Sequence, residues 1–322
     1  MVESPSEDNP KFVGFRKEST TGNVPALGRV VVMCHGVGTN LHVYDTMTGM
    51  LTKEGMTVIR YEYFNHGFSK GEMEGGHHVK ICKTVLLNQL EDVLDHVLKN
   101  RNEMIHGLVG HSTGGALGAL AGKAFTSESS QHRIRNLGLI SPCLWAPKPL
   151  IAMVAETFPN FFFGVSKTGI LNFSIKDAYM ENCRIAFAKK DKKTYVFPEA
   201  YKEAVDLLGM EFKHHPYIRS GIFAISTFFI TSTGCKEFRK AFDEVAKNSY
   251  TRITCSWGDH DMCVPYKSKF IKSTFEGHKP EKCKLDSIPN QGHESLSEDT
   301  VPIAAGIVKL FDEISPLYCE GV

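Results

Sequence analysis

Six short β-rich runs divide this chain at intervals that suit a layered sheet. They are Val30–Cys34, Met56–Tyr61, Met104–Val109, Leu137–Ile140, Arg252–Trp257 and Lys284–Ile288. Several lack the polar alternation of a half-exposed strand, as strands covered on both faces do, and stretches of helical period lie between them. From Ile81 to Asn100, Leu86, Leu90, Val93, Leu94 and Val97 recur at three- and four-residue steps, while Lys83, Gln89, Asp92 and His96 are expected to face elsewhere. The last helix has a start signal at Thr300, Pro302 in its first turn and a stripe of Ile303, Ile307, Leu310, Phe311 and Ile314. The alternation is βαβ and predicts an α/β fold with a mostly parallel sheet flanked by helices.

The stretch between Ile140 and Arg252 is too long for one crossover. Helical segments, including Pro198–Leu208 and Tyr217–Ser232, fill it together with the aromatic runs "FPNFFFGV" and "IFAISTFFI". The expected organisation is a core of residues 1–143 and 249–322 interrupted by a helical cap, 144–248, which roofs one end of the sheet. Three roles are open for Phe161, Phe162, Phe163, Phe228 and Phe229: the cap's own core, an apolar substrate channel, or a membrane-touching surface.

The segment "LVGHSTGGALG" ends the third run and opens a helix, Gly114–Phe125. It spells G-x-S-x-G as Gly110-His111-Ser112-Thr113-Gly114. Strand, turn and helix in that order describe an elbow that thrusts Ser112 outward, with glycines letting neighbouring backbone pass close. A phosphate loop would need Lys directly after the glycines, and the next lysine is Lys123, inside the helix. The competing interpretation is a Gly/Ser turn without chemistry, and other parts of the chain decide between them.

A serine hydroxyl needs a base, and the base needs an acid that holds its tautomer. Of 14 histidines, His293 in "IPNQGHES" follows the last strand at the expected edge. After the penultimate strand, "SWGDHDMCVP" offers Asp259 and Asp261. Asp261 lies two residues further along, where a loop can swing back toward the imidazole, so spacing favours it over Asp259 as the acid. An oxyanion needs oriented donors: the Thr113 main-chain N–H at the helix start, and Val37 in "CHGVGTN". His35 in that loop is expected to brace it, the alternative being a plain tight turn at His35-Gly36.

Charge and cysteine usage narrow the partners. Lysine plus arginine number 37 against 36 acidic residues, so no global field favours nucleic acid. The 9 cysteines are odd in number and scattered, which argues for a reducing compartment. The polar start "MVESPSEDNPK" is no secretory signal and no apolar run approaches a membrane span, so the expected location is cytoplasmic. His77-His78 and His214-His215 lack further ligands at zinc spacing, so no metal and no cofactor is implied. Cys263 is taken as a space-filler beside the acid.

The order His35-Gly36, Asn65-His66-Gly67-Phe68-Ser69-Lys70-Gly71, Gly110-His111-Ser112-Thr113-Gly114-Gly115, Gly258-Asp259-His260-Asp261 with Pro265, then Gly292-His293, resembles the α/β-hydrolase superfamily across almost the whole chain. The "NHGFSKG" stretch and an insertion after what the family counts as its sixth strand are similar to the lysophospholipase and monoglyceride-lipase-like branch. The resemblance implies Ser112 as nucleophile, Asp261 as acid and His293 as base, in agreement with the chemistry. Two departures stand out: Asn65 replaces the family's usual glycine, and only "KFVGFRK" precedes Val30 where the family has a two-stranded hairpin.

The expected activity is therefore hydrolysis of carboxylic esters, of acylglycerol or lysophospholipid type, through an acyl-enzyme on Ser112. The partner is a small-molecule ester with an apolar acyl chain, bound beside Leu144 and Trp145 where the chain leaves the sheet. The cap leaves room for transient membrane contact. The alternatives are perhydrolase, haloperoxidase-like or thioesterase chemistry on the same triad, and a non-catalytic binding protein on the same fold.

Overall fold

The computed structural model describes residues 15–18, 29–64, 66, 69, 83–98, 104–125, 134–143, 232–248, 251–261, 263–264 and 269–312. Seven strands form one sheet: β1 (Phe15–Glu18), β2 (Arg29–Cys34), β3 (Thr57–Tyr61), β4 (Met104–His111), β5 (Asn136–Ile140), β6 (Arg252–Gly258) and β7 (Cys283–Ile288). Their spatial order is β1-β3-β2-β4-β5-β6-β7. The six from β2 to β7 run parallel, and β1 lies antiparallel at the edge, with Phe15 opposite Tyr61. Every run expected as a strand from the sequence is one, to within two residues at either end. The short "KFVGFRK" segment supplies the antiparallel edge through its last residues.

The central strands are apolar on both faces because both faces are covered. In β2, Val30, Val32 and Cys34 join one core while Val31 and Met33 join the other. The first core receives α2 (Lys83–Leu98), α3 (Thr113–Ala124), α4 (Ser232–Lys247) and α5 (Lys269–Glu276). The opposite core receives α1 (Asp45–Lys53) and the last helix, α7 (Thr300–Asp312), which follows a single turn, α6 (Ser295–Glu298). Ile303, Ile307, Leu310 and Phe311 of α7 are buried as the stripe predicts, each such side chain contributing about 1.5–3 kcal/mol. Ile314 lies outside the described residues. Helices α1 and α5 were not singled out from the sequence.

Gln89 departs from the expected pattern. The helical stripe places it on the outer face of α2, yet it is buried. Its Nε2 donates to the Glu62 carbonyl at 3.0 Å and its Oε1 accepts from the Phe64 N–H at 3.1 Å. An amide can be buried where both its ends find main-chain partners, and here it ties α2 to the loop after β3.

Helix α4 falls within the stretch assigned to the insertion, but Phe238, Ala241, Phe242, Val245 and Ala246 are buried in the same core as α3 and the sheet. The chain is thus back in the core layers by this helix. The remainder of the expected cap, 144–231, with its aromatic runs, Leu144 and Trp145, lies outside the described residues. Among the described residues, no helix is long and apolar enough to cross a membrane.

Candidate active site

The parallel strands all end at one edge of the sheet, and their following loops meet there. Strand β4 ends at His111 and α3 begins at Thr113, leaving Ser112 as a one-residue elbow with φ 54° and ψ −115°. A non-glycine residue in such backbone is strained by about 1–3 kcal/mol and persists only where its surroundings hold it. They do so here. The Ser112 N–H donates to Ile140 O, and its carbonyl accepts from Ala116 and Cys143 N–H groups. A Cβ on Gly114 would collide with the main-chain oxygen of Cys34, so this turn closes only with glycine there.

Three side chains from three loops form one chain of hydrogen bonds. Ser112 Oγ lies 2.9 Å from His293 Nε2, and His293 Nδ1 lies 2.8 Å from Asp261 Oδ2. The carboxylate can only accept, so Nδ1 carries the proton and Nε2 is left to accept from the hydroxyl. The second oxygen, Asp261 Oδ1, accepts from the N–H groups of Cys263 at 2.8 Å and Val264 at 2.7 Å. All three side chains are at most 9% exposed, so water competes weakly with these contacts.

The loops carrying acid and base are laced together. Asp259 N–H donates to Ile288 O, and His260 N–H donates to Gln291 O. The Trp257 indole donates to Val264 O at 2.7 Å from beneath the Asp261 turn. Asp259 itself is the turn residue; its side chain is about a third exposed, and its Oδ1 lies 3.8 Å from the His260 ring. Spacing favoured Asp261 of the two carboxylates, and its Oδ2 is the one that lies against the imidazole.

Burial pulls the His293 pKa down, but the Asp261 charge and hydrogen bond, with the charge of Glu294, outweigh it and leave the net shift upward from 6.5. Glu294 is itself buried, and desolvation raises its carboxyl above the usual range. Neither it nor His111 was singled out from the sequence. His111 Nε2 donates to the His293 carbonyl at 2.8 Å, and burial pushes its pKa down to about 3. No periodicity or motif signals such a contact, because it joins residues in two distant loops.

The loop after β2 passes directly over the elbow: a Cβ on Gly36 would lie 3.3 Å from Ser112 Cβ. His35 braces this loop, donating from Nδ1 to Gly36 O at 2.7 Å and accepting the Tyr63 N–H at Nε2 at 3.3 Å. The Tyr63 hydroxyl closes the brace on His35 O at 2.8 Å. Val37 is the next residue after Gly36, half-buried against the core, and Thr113 opens α3 beside Ser112. His66 and Ser69 of "NHGFSKG" form an isolated bridge, and Asn65 lies outside the described residues.

A parallel sheet in this order, with a strained serine elbow after a central strand and a carboxylate and an imidazole after the last two, defines the α/β-hydrolase class. A family model described as Hydrolase_4, serine aminopeptidase S33, matches residues 26–300, and the chain belongs to this hydrolase family. It is 31% identical over 120 residues to a monoglyceride lipase of Rattus norvegicus, a match spanning 36% of each chain. Thus only about a third of that relative's length is matched. Among solved structures it is similar to a bromoperoxidase from Bacillus anthracis, with TM-score 0.63, 19% identity and coverage of 93% of this chain and 94% of that one. It is also similar to an esterase from Exiguobacterium antarcticum, with TM-score 0.64, 16% identity and coverage of 92% and 94%.

Proposed function

We propose that the protein is a serine hydrolase that cleaves carboxylic esters through an acyl-enzyme on Ser112. The observation that carries this reading is the unbroken relay from Asp261 through His293 to a hydroxyl held on a strained elbow at a helix N-terminus. His293 Nε2 takes the hydroxyl proton as Oγ attacks the ester carbonyl, and Asp261 stabilises the imidazolium that forms. The negative charge developing on the carbonyl oxygen is met by the main-chain N–H groups of Val37 and Thr113, the latter with the positive end of the α3 dipole behind it. Imidazolium then gives its proton to the departing alcohol, and water, activated by the same imidazole, resolves the acyl-enzyme. No cofactor is needed for any of these steps.

The substrate is a small-molecule ester with an apolar acyl chain, of acylglycerol or lysophospholipid type. The similarity to a monoglyceride lipase supports this class, as does the aromatic composition of residues 144–231. Leu144 and Trp145, which lie outside the described residues, are the acyl-binding candidates in this reading. The protein acts in the cytoplasm, with transient contact to lipid surfaces.

Ser112 is tested by a fluorophosphonate probe. The wild-type protein is expected to be labelled, and Ser112→Ala to fold, escape labelling and lose ester turnover by about 10⁴ or more. Labelling retained in Ser112→Ala would sink the assignment. On the substrate side, p-nitrophenyl esters of medium acyl chains should exceed the acetate in kcat/KM, since each buried methylene contributes roughly 0.8 kcal/mol. Trp145→Ala should narrow that advantage, and a steady fall from acetate to octanoate would exclude an apolar acyl pocket.

A further inference from the structure

Asp261, Cys263 and His293 each present one donor atom, and these atoms all lie within 4.8 Å of one another. One sulfur, one imidazole nitrogen and one carboxylate oxygen make a donor set suited to zinc. Tetrahedral zinc, with bonds of about 2.0–2.3 Å, spaces its donors roughly 3.3–3.8 Å apart, so the set needs to draw in by about 1 Å. The loop favours this. The Cys263 N–H is already anchored on Asp261 Oδ1, which holds the two residues in one turn. Asp261 and His293 are buried, while Cys263 is half-buried and packs against the edge of the first core.

We propose that Asp261, Cys263 and His293 form an inhibitory site for a soft divalent cation of the zinc class. The thiol loses one proton to solvent, and thiolate plus carboxylate balance the two positive charges of the metal. Coordination at His293 Nδ1, the nitrogen facing Asp261, moves the remaining imidazole proton to Nε2. An Nε2 that carries a proton cannot accept one from Ser112, and the Asp261–His293 hydrogen bond is replaced by metal bonds. Bound metal and working base are therefore mutually exclusive. The inhibitory consequence rests on the hydrolase reading; metal binding does not.

The test uses the full chain as wild type, Cys263→Ser and Ser112→Ala, with p-nitrophenyl butyrate turnover under buffered Zn²⁺ and absorption spectra under Co²⁺. Inhibition is read against each protein's own metal-free rate. Wild-type turnover is expected to fall with Zn²⁺ and to return with chelator, and Cys263→Ser to need about tenfold or more Zn²⁺ for the same inhibition. Co²⁺ should give a thiolate charge-transfer band in wild type and in Ser112→Ala that disappears in Cys263→Ser. Equal zinc sensitivity in wild type and Cys263→Ser, or a band that survives the loss of Cys263, overturns the site. A band dependent on Cys263 in a protein without ester turnover would uphold the metal site and overturn the hydrolase reading instead.

Discussion

His111 Nε2 donates a hydrogen bond to the main-chain oxygen of His293 across 2.8 Å, so the residue before the elbow serine holds the residue that carries the imidazole. Both ends of the Ser112–His293 contact are thereby fixed by adjacent positions. His111→Phe should keep the ring volume and lose the donor, leaving a buried carbonyl unpaired at a cost of about 1–3 kcal/mol. Turnover should fall in kcat by about ten- to a hundredfold with KM little changed, and His111→Gln, which can donate from its amide, should recover part of it. A KM effect without a kcat effect would remove His111 from the positioning role.

Asp261 and Asp259 stand two residues apart and should respond differently to the same substitution. Asp261→Asn presents an amide to His293 Nδ1 and favours the wrong imidazole tautomer, so kcat/KM should drop by about 10⁴. Asp259→Asn changes only a partly exposed turn residue and should cost less than tenfold. Parallel steady-state kinetics on the two variants decide the matter, and a larger loss at 259 would place the acid there.

Activity should rise with pH along a single ionisation above the ordinary histidine value of 6.5, because His293 must be neutral to act and its pKa is held up by Asp261. Glu294 contributes to that upward shift. Glu294→Gln removes its charge and should move the midpoint of kcat/KM to lower pH. A midpoint below 6.5 in the wild type would contradict the electrostatic balance described for the site.

Stability should fall steeply in mild acid. Burial lowers the pKa values of His35 and His111 to about 3 and of His66 to about 4, so all three are neutral in the folded state. In the unfolded chain they protonate below about 6.5, and from there down to about 4 the unfolded state binds more protons. Stability conferred by the neutral rings is full above about 6.5 and is lost as pH falls, at up to about 4 kcal/mol per pH unit for three protons. His293 acts with the opposite sign: its raised pKa adds stability below 6.5 that disappears as pH rises through the folded value. Urea denaturation at about pH 7, 6 and 5 should show the net loss; a flat profile would mean the rings are hydrated.

The local information in the chain was enough for its parallel strands and for the candidate residues. Six β-rich runs became six parallel strands, several without polar alternation because strands covered on both faces do not need it, and a glycine-flanked serine between strand and helix became an elbow because backbone from Cys34 must pass close to Gly114. Ser112 and His293 were legible for related reasons: Ser112 directly follows β4 and His293 lies in the short loop five residues past β7, so position along the chain gives position at the sheet edge. Spacing favoured one of two carboxylates, and only packing brought it to the imidazole. Asp261 was separated from Asp259 by the turn that aims one carboxylate at the imidazole while hydrogen bonds from Cys263 and Val264 hold it there. Gln89, read as a solvent-facing position, was drawn inward because two main-chain groups after β3 needed partners. The His111 contact to His293 and the gathering of Asp261, Cys263 and His293 join residues from distant loops, and such contacts exist only once the sheet has brought the strand ends together.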